Sequence, residues 1–285
     1  MIERQPELVL SGLKFAESPR WFDHQLWLSD LISHRVIAMT SDGNVRTVAE
    51  FDDNPSGLGF LSDGNVLVAL MRSRKIIKVD PLTGSQTVHS DLSELPGDTL
   101  NDMVVDSRGI AYLDSNMRSR DEEPSANDFL LMVDEDGSAS VAAEGVGRPN
   151  GMSISESGTS LVLAETLMHR LTEFDLNANG TIADRRLFAN TGSAFPDGIC
   201  RDADDGIWFG SPYTSEFLRV IRGGEVTDRI ATPGRWAVAC VLGGYDRRTL
   251  YLVTAVTTLE GVKRRGESEG AIESVQVEIP GCGNP

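Results

Sequence analysis

The sequence predicts an all-β chain, a six-bladed β-propeller of four-stranded antiparallel blades around a central channel, on three observations. A short unit recurs six times at spacings of 39 to 49 residues, the span of a four-stranded blade. Turn signals rich in Asp, Asn and Gly separate short runs of alternating apolar residues along the whole chain. No amphipathic helix of more than two turns interrupts them.

The units run in order as Glu17-Ser18-Pro19-Arg20-Trp21, Ser56-Gly57-Leu58-Gly59-Phe60, Asn101-Asp102-Met103-Val104-Val105, Asn150-Gly151-Met152-Ser153-Ile154, Asp197-Gly198-Ile199-Cys200-Arg201 and Trp236-Ala237-Val238-Ala239-Cys240. Each opens on a polar or aromatic residue and continues as a strand. Turns such as Ser41-Asp42-Gly43, Ser62-Asp63-Gly64 and Glu135-Asp136-Gly137 follow, because Gly takes the positive φ of tight β-turns at no steric cost. Leu8-Val9-Leu10 precedes the first unit, and Ile272, Val275, Val277 and Ile279 follow the last. One end is expected to complete the blade of the other, which removes exposed edges. The whole of residues 1–285 then forms one domain.

Composition bounds the function. The 285 residues are 40% hydrophobic, 24% charged and 6% aromatic, the profile of a folded soluble protein. Acidic residues outnumber basic ones 43 to 26, a net charge of −17, so nucleic acid and anionic membranes are not expected partners. No apolar run approaches the roughly 18 residues of a membrane helix. The first seven residues lack the basic and apolar regions of a signal peptide, and a cytoplasmic monomer or small homo-oligomer is expected. Cys200, Cys240 and Cys282 are odd in number, far apart and in no C-x-x-C pair, which favours reduced thiols over a disulfide framework or zinc knuckle.

In a propeller the first strand of every blade lines the channel, so equivalent positions of successive units converge. Those positions are Glu17, Ser56, Asn101, Asn150, Asp197 and Trp236. Two carboxylates and two carboxamides at one mouth are hard oxygen donors suited to Ca²⁺, Mg²⁺ or Mn²⁺. Taken singly, Asn, Asp or Ser before Gly reads as a turn cap. Taken together, two carboxylates brought this close require a cation or a proton between them.

The stretches Phe15-Ala16-Glu17-Ser18-Pro19-Arg20-Trp21, Leu100-Asn101-Asp102-Met103-Val104-Val105-Asp106, Arg148-Pro149-Asn150-Gly151-Met152 and Phe195-Pro196-Asp197-Gly198-Ile199 resemble the gluconolactonase family that includes regucalcin and the drug-responsive lactonases. The likeness spans about residues 15 to 255. It implies a six-bladed propeller binding one divalent cation, Ca²⁺ foremost with Mg²⁺, Mn²⁺ or Zn²⁺ as alternatives. By the same resemblance Glu17, Asn150 and Asp197 hold the metal, with Asn101 beside them, and the reaction is hydrolysis of a lactone or related ester. Asp197 is the implied general base on the attacking water, or, as in related phosphotriesterases, a nucleophile. Where the sugar-lactone members carry an Arg two residues before the Asn-Asp pair, this chain has Thr99, a form closer to the wider lactonase branch.

Asn101, Ser56 and Trp236 are the expected substrate contacts, although core packing suits Trp236 equally well. No G-x-S-x-G elbow is present, and none of His24, His34, His89 and His169 falls on the ring, so a Ser-His-Asp triad is not expected. The polar segment from Ser115 to Asp128, with Arg118, Arg120, Asp121, Glu122 and Glu123, reads either as a lid over the mouth or as a solvated loop. Lys263-Arg264-Arg265 reads as a charged loop. The competing functional reading is a non-catalytic Ca²⁺-holding or sugar-acid-binding propeller. A scaffold for protein partners would carry W-D or kelch-type repeats, which this chain lacks.

Overall fold

The computed structural model describes residues 4–117, 127–264 and 267–283. The expected lid residues Arg118, Arg120, Asp121, Glu122 and Glu123 and the basic residue Arg265 lie outside the described residues, as do the side chains of Lys263 and Arg264.

Strand β1 (Glu7–Leu13) comes first and belongs to the last blade. Blade one is β2 (Ala16–Phe22), β3 (Gln25–Asp30), β4 (Arg35–Thr40) and β5 (Val45–Glu50); blade two is β6 (Pro55–Phe60), β7 (Val66–Leu70), β8 (Lys75–Val79) and β9 (Gln86–Asp91). Blade three is β10 (Thr99–Val105), β11 (Ala111–Asn116), β12 (Asp128–Val133) and β13 (Ala139–Val146). Blade four is β14 (Pro149–Ile154), β15 (Ser160–Glu165), β16 (Arg170–Leu176) and β17 (Ile182–Asn190). Blade five is β18 (Ile199–Arg201), β19 (Ile207–Ser211), β20 (Glu216–Val220) and β21 (Val226–Ala231). Blade six is β22 (Trp236–Gly243), β23 (Thr249–Val256) and β24 (Glu269–Gln276), with β1 as its outermost strand. A short helix α1 (Leu259–Arg264) joins β23 to β24.

Strands β2, β6, β10, β14, β18 and β22 each contact the next, and β22 returns to β2, which closes the ring. The first five begin each blade on near-continuous buried runs, whereas outer strands such as β5, β9 and β17 are largely exposed. Innermost strands must read apolar on both faces because they are covered on both. Six apolar clusters sit between neighbouring blades. One of them, with Phe15, Leu28, Val238, Tyr251 and Ile272, joins blade six to blade one. No helix among the described residues is long and apolar enough to cross a membrane.

The expected joining of the ends is seen, and its order is now fixed: β1 pairs antiparallel with β24, from Glu7 opposite Ser274 to Leu13 opposite Gly270. Leu13 is buried in the cluster that bridges first and last blades. The C-terminal tail adds a second tie, an isolated bridge between Asp202 and Gly281.

The Asn-Gly and Asp-Gly pairs at the ring positions are not turns. The Gly151 N–H donates to the Asp197 carbonyl at 3.2 Å, and the Gly198 N–H donates to the Val238 carbonyl at 3.0 Å. A Cβ on Gly151 would lie 2.5 Å from the Asp197 carbonyl oxygen, and one on Gly198 would lie 2.3 Å from Ala239 Cβ. Glycine there lets neighbouring inner strands touch backbone to backbone, which draws the preceding Asn150 and Asp197 to the axis.

Replacing Leu13 by Ala should cost about 2–5 kcal/mol through lost burial and a cavity at the seam of the ring. Urea denaturation checks this, and a loss under about 1 kcal/mol would mean that the seam does not depend on β1.

Candidate functional site

All six ring residues lie at or just before the start of the innermost strands. Glu17, Asn101, Asn150, Asp197 and Trp236 line one cavity of about 560 Å³ at that end of the channel. Ser56 belongs to the same ring but not to the cavity wall. It is buried, and its hydroxyl donates to Asn101 Oδ1 at 3.0 Å.

From Ser56 a polar chain runs across four consecutive blades. Asn101 Nδ2 donates to Asn150 Oδ1 at 3.2 Å, and the Asn150 side chain hydrogen-bonds Asp197. The Asn101 backbone N–H donates to Asp114 Oδ1 at 2.7 Å. Each carboxamide is thereby oriented from the blade before it, so the ring holds its donors without loop flexibility.

Charge below the cavity is dense. Asp102 and Asp114 are buried, and Asp114 Oδ2 has no partner among the described residues. Asp102 is held by the Ser18 hydroxyl at 2.8 Å and by the Arg20 guanidinium at 2.9 Å, and Arg20 also donates to the carbonyls of Pro19, Leu58 and Met103. Burial pushes the Glu17 carboxyl well above its ordinary range, with Asp197, Asp102 and Asp114 adding like-charge repulsion. Burial, then the Asp102 charge, raises Asp197 to about 8, opposed by its hydrogen bond from Asn150. Asp114 is pushed up by burial and by Asp102.

Two half-buried carboxyls that favour the protonated state, beside two carboxamides, form a set of hard oxygen donors short of positive charge. Among the described residues no three His, Cys, Asp or Glu side chains converge as a metal cluster, because the Asn side chains supply half of this set. The four residues fit a hard divalent cation better than zinc, since all of them offer oxygen donors and none is a thiol or imidazole.

Trp236 packs against the seam cluster and stacks edge-on with Tyr213 at 5.4 Å, the end of a row through Phe195 to His169. Trp236 is thus packed and also lines the cavity. Of the four histidines, His34 reaches this cavity, and its ring makes no hydrogen bond among the described residues. His24 lines a separate cavity of about 350 Å³ at the far ends of the inner strands. Cys200 and Cys282 line that second cavity, and Cys200 Sγ lies 3.7 Å from Cys240 Sγ, so cysteines remote in sequence are neighbours in space.

Lys14, Asn54, Arg72, Thr99, Asn116 and Arg148 also line the main cavity, and reading the ring alone misses them. Asn54, Thr99 and Arg148 each stand two residues before a ring position, so the same repeat read two residues earlier would have found them. Arg148 takes a left-handed φ of 54°. Its N–H donates to Asp128 Oδ2 at 3.0 Å, while Asp128 Oδ1 accepts from the Met117 N–H at 2.8 Å.

Residues 15–256 match the profile described as the SMP-30/gluconolactonase/LRE-like region. A 6-deoxy-6-sulfogluconolactonase from Pseudomonas putida is 25% identical over 291 residues, covering 100% of this chain and 96% of that protein. A pentonolactonase from Haloferax volcanii is 22% identical, covering 96% of this chain and 94% of its own length. Among solved structures, the calcium-binding protein regucalcin from Agrobacterium tumefaciens superposes with a TM-score of 0.79 at 21% identity, covering 98% of this chain and 95% of that one. A luciferin-regenerating enzyme gives 0.83 at 16% identity, covering 98% and 97%. At these identities the structural likeness establishes the fold.

Two predictions follow from the buried charge. Asp102→Ala leaves the Arg20 guanidinium buried without its partner and should cost about 3–5 kcal/mol in urea unfolding. Glu17 and Asp197 hold their protons more tightly folded than unfolded, so protein stripped of metal by a chelator should lose stability as pH rises from the ordinary carboxylate range through about 8. Asp197→Asn should flatten that slope, and a melting temperature equally steep in both proteins would refute the assignment.

Proposed function

The chain belongs to the SMP-30/gluconolactonase/LRE-like family, and from the convergence of Glu17, Asn101, Asn150 and Asp197 on one cavity we propose that it is a divalent-cation-dependent lactone hydrolase. That convergence carries the reading. The names of the Pseudomonas and Haloferax relatives, both lactonases that match nearly the whole chain, support it.

Glu17, Asn150 and Asp197 would hold the cation, with Asn101 beside them. When bound, the cation supplies Lewis-acid polarisation of the lactone carbonyl and the positive charge that keeps both carboxylates ionised. Asp197 accepts the proton of the attacking water at a carboxylate oxygen, which requires its ionised form. Asn150 orients that carboxylate through its hydrogen bond. Asn101, fixed by Ser56, presents its amide toward the cavity and supports the developing oxyanion. Trp236 closes one side of the cavity and excludes water from the acyl carbon. The ring opens when the tetrahedral intermediate collapses and the ring oxygen leaves with the bonding electron pair, as an alkoxide. Asp197 then returns its proton to that oxygen, so the product is a hydroxy acid.

Ca²⁺ is the first candidate, with Mg²⁺, Mn²⁺ and Zn²⁺ as alternatives. A pH-stat assay on a panel of lactones tests the proposal, using chelated protein, protein with each metal restored, and Asp197→Asn. Metal-restored turnover that falls by about 100-fold or more in the variant is the expected outcome. Cation binding without turnover of any lactone would favour the cation-holding or sugar-acid-binding propeller instead.

A further inference from the structure

The cavity is lined by acidic and basic side chains from different parts of the fold. Its only described carboxylates are Glu17 and Asp197 at the inner strands, whereas Lys14, Arg72 and Arg148 line it from connections between strands, with His34 nearby. Lys14 and Arg72 are exposed, and neither side chain forms an ion pair or hydrogen bond among the described residues.

The backbone that carries each of the two guanidinium groups is held in place. The backbone N–H groups of Arg72 and Ser73 both donate to the Asp53 carboxylate, at 3.1 and 2.7 Å. Arg148 is held in its left-handed conformation by Asp128 on one side and by the Thr166 N–H, which donates to its carbonyl at 3.0 Å, on the other. A non-glycine residue pinned in a sparsely populated conformation at a cavity edge marks a position the fold maintains against strain.

Three basic side chains on the edge of one cavity favour an anionic ligand over a neutral one, in a protein whose net charge of −17 otherwise disfavours anions on average. The carboxylate released by ring opening does not explain the rim, since it forms beside Glu17 and Asp197.

We propose that the lactone this site takes carries an anionic group, of the phosphate or carboxylate type, remote from the scissile ester and held by Arg72 and Arg148 with Lys14 beside them. The proposal rests on the lactonase reading for turnover but not for binding. Guanidinium is suited to either anion because its N–H fork binds two oxygens at once.

The test compares D-glucono-1,5-lactone with its 6-phosphate and its 6-carboxylate analogue as substrates of the metal-restored protein. In parallel, calorimetry measures binding of the open-chain acids, gluconate and 6-phosphogluconate. The wild type should favour a charged lactone by about tenfold or more in kcat/KM, and the stronger of the two charged arms identifies the anion. Arg72→Gln and Arg148→Gln should each reduce the charged-to-neutral ratio by about tenfold, which is 1.4 kcal/mol. Raising the ionic strength should reduce the same ratio, as screening of partly exposed charges requires. A charged-to-neutral ratio near one in the wild type, or one that neither variant changes, overturns the proposal while leaving the lactonase reading intact. Arg-dependent preference for 6-phosphogluconate without turnover of any lactone supports the anion site and overturns the lactonase reading. Neither preferential binding nor turnover overturns both.

Discussion

Arg20 and Asp102 face each other beneath the cavity floor, 2.9 Å apart and both almost wholly removed from water. An ion pair so placed gains little net stability over apolar residues of the same shape, because desolvation offsets most of the attraction. What it does is position. The guanidinium reaches the carbonyls of Leu58 and Met103 from strand β2, so one side chain ties three successive inner strands together below the site. The Asp102 carboxylate, fixed there, is a standing negative charge under Glu17, Asp114 and Asp197.

That standing charge shapes the chemistry above it. With Asp102 below and little water around, Glu17 and Asp197 favour their protonated forms until positive charge arrives. The floor therefore has little positive charge of its own, and under the proposed function a dication would supply it. No basic side chain lines the cavity at the level of the inner strands. Arg20 is spent on Asp102 and on backbone carbonyls.

Much of this was legible in the sequence, because a propeller turns a linear repeat into a ring. Aligning Glu17, Ser56, Asn101, Asn150, Asp197 and Trp236 was enough to bring five of them to one cavity. Ser56 fell behind the wall because its strand is buried from end to end. The glycines after Asn150 and Asp197 were open to misreading: Asn-Gly and Asp-Gly are turn signals in isolation, yet Gly151 and Gly198 serve close contact between inner strands. Arg20 carried no pattern that marks a buried arginine, and its burial depends on a carboxylate 82 residues away. The neighbouring thiols of Cys200 and Cys240 were invisible for the same reason, since they meet across blades five and six.

The two levels of the cavity follow from strand geometry. Residues at the ring position set the floor, and residues two places earlier, Asn54, Thr99 and Arg148, stand toward the rim. A lactone seated with its ester at Glu17 and Asp197 would present its remote end to the connections that carry Arg148 and Arg72. Thr99 leaves that level short of a guanidinium on blade three, and Arg148 supplies one from the connection into blade four. Because the floor is fixed by contacts between inner strands and the rim by connections outside them, the rim can change charge without disturbing the donors below.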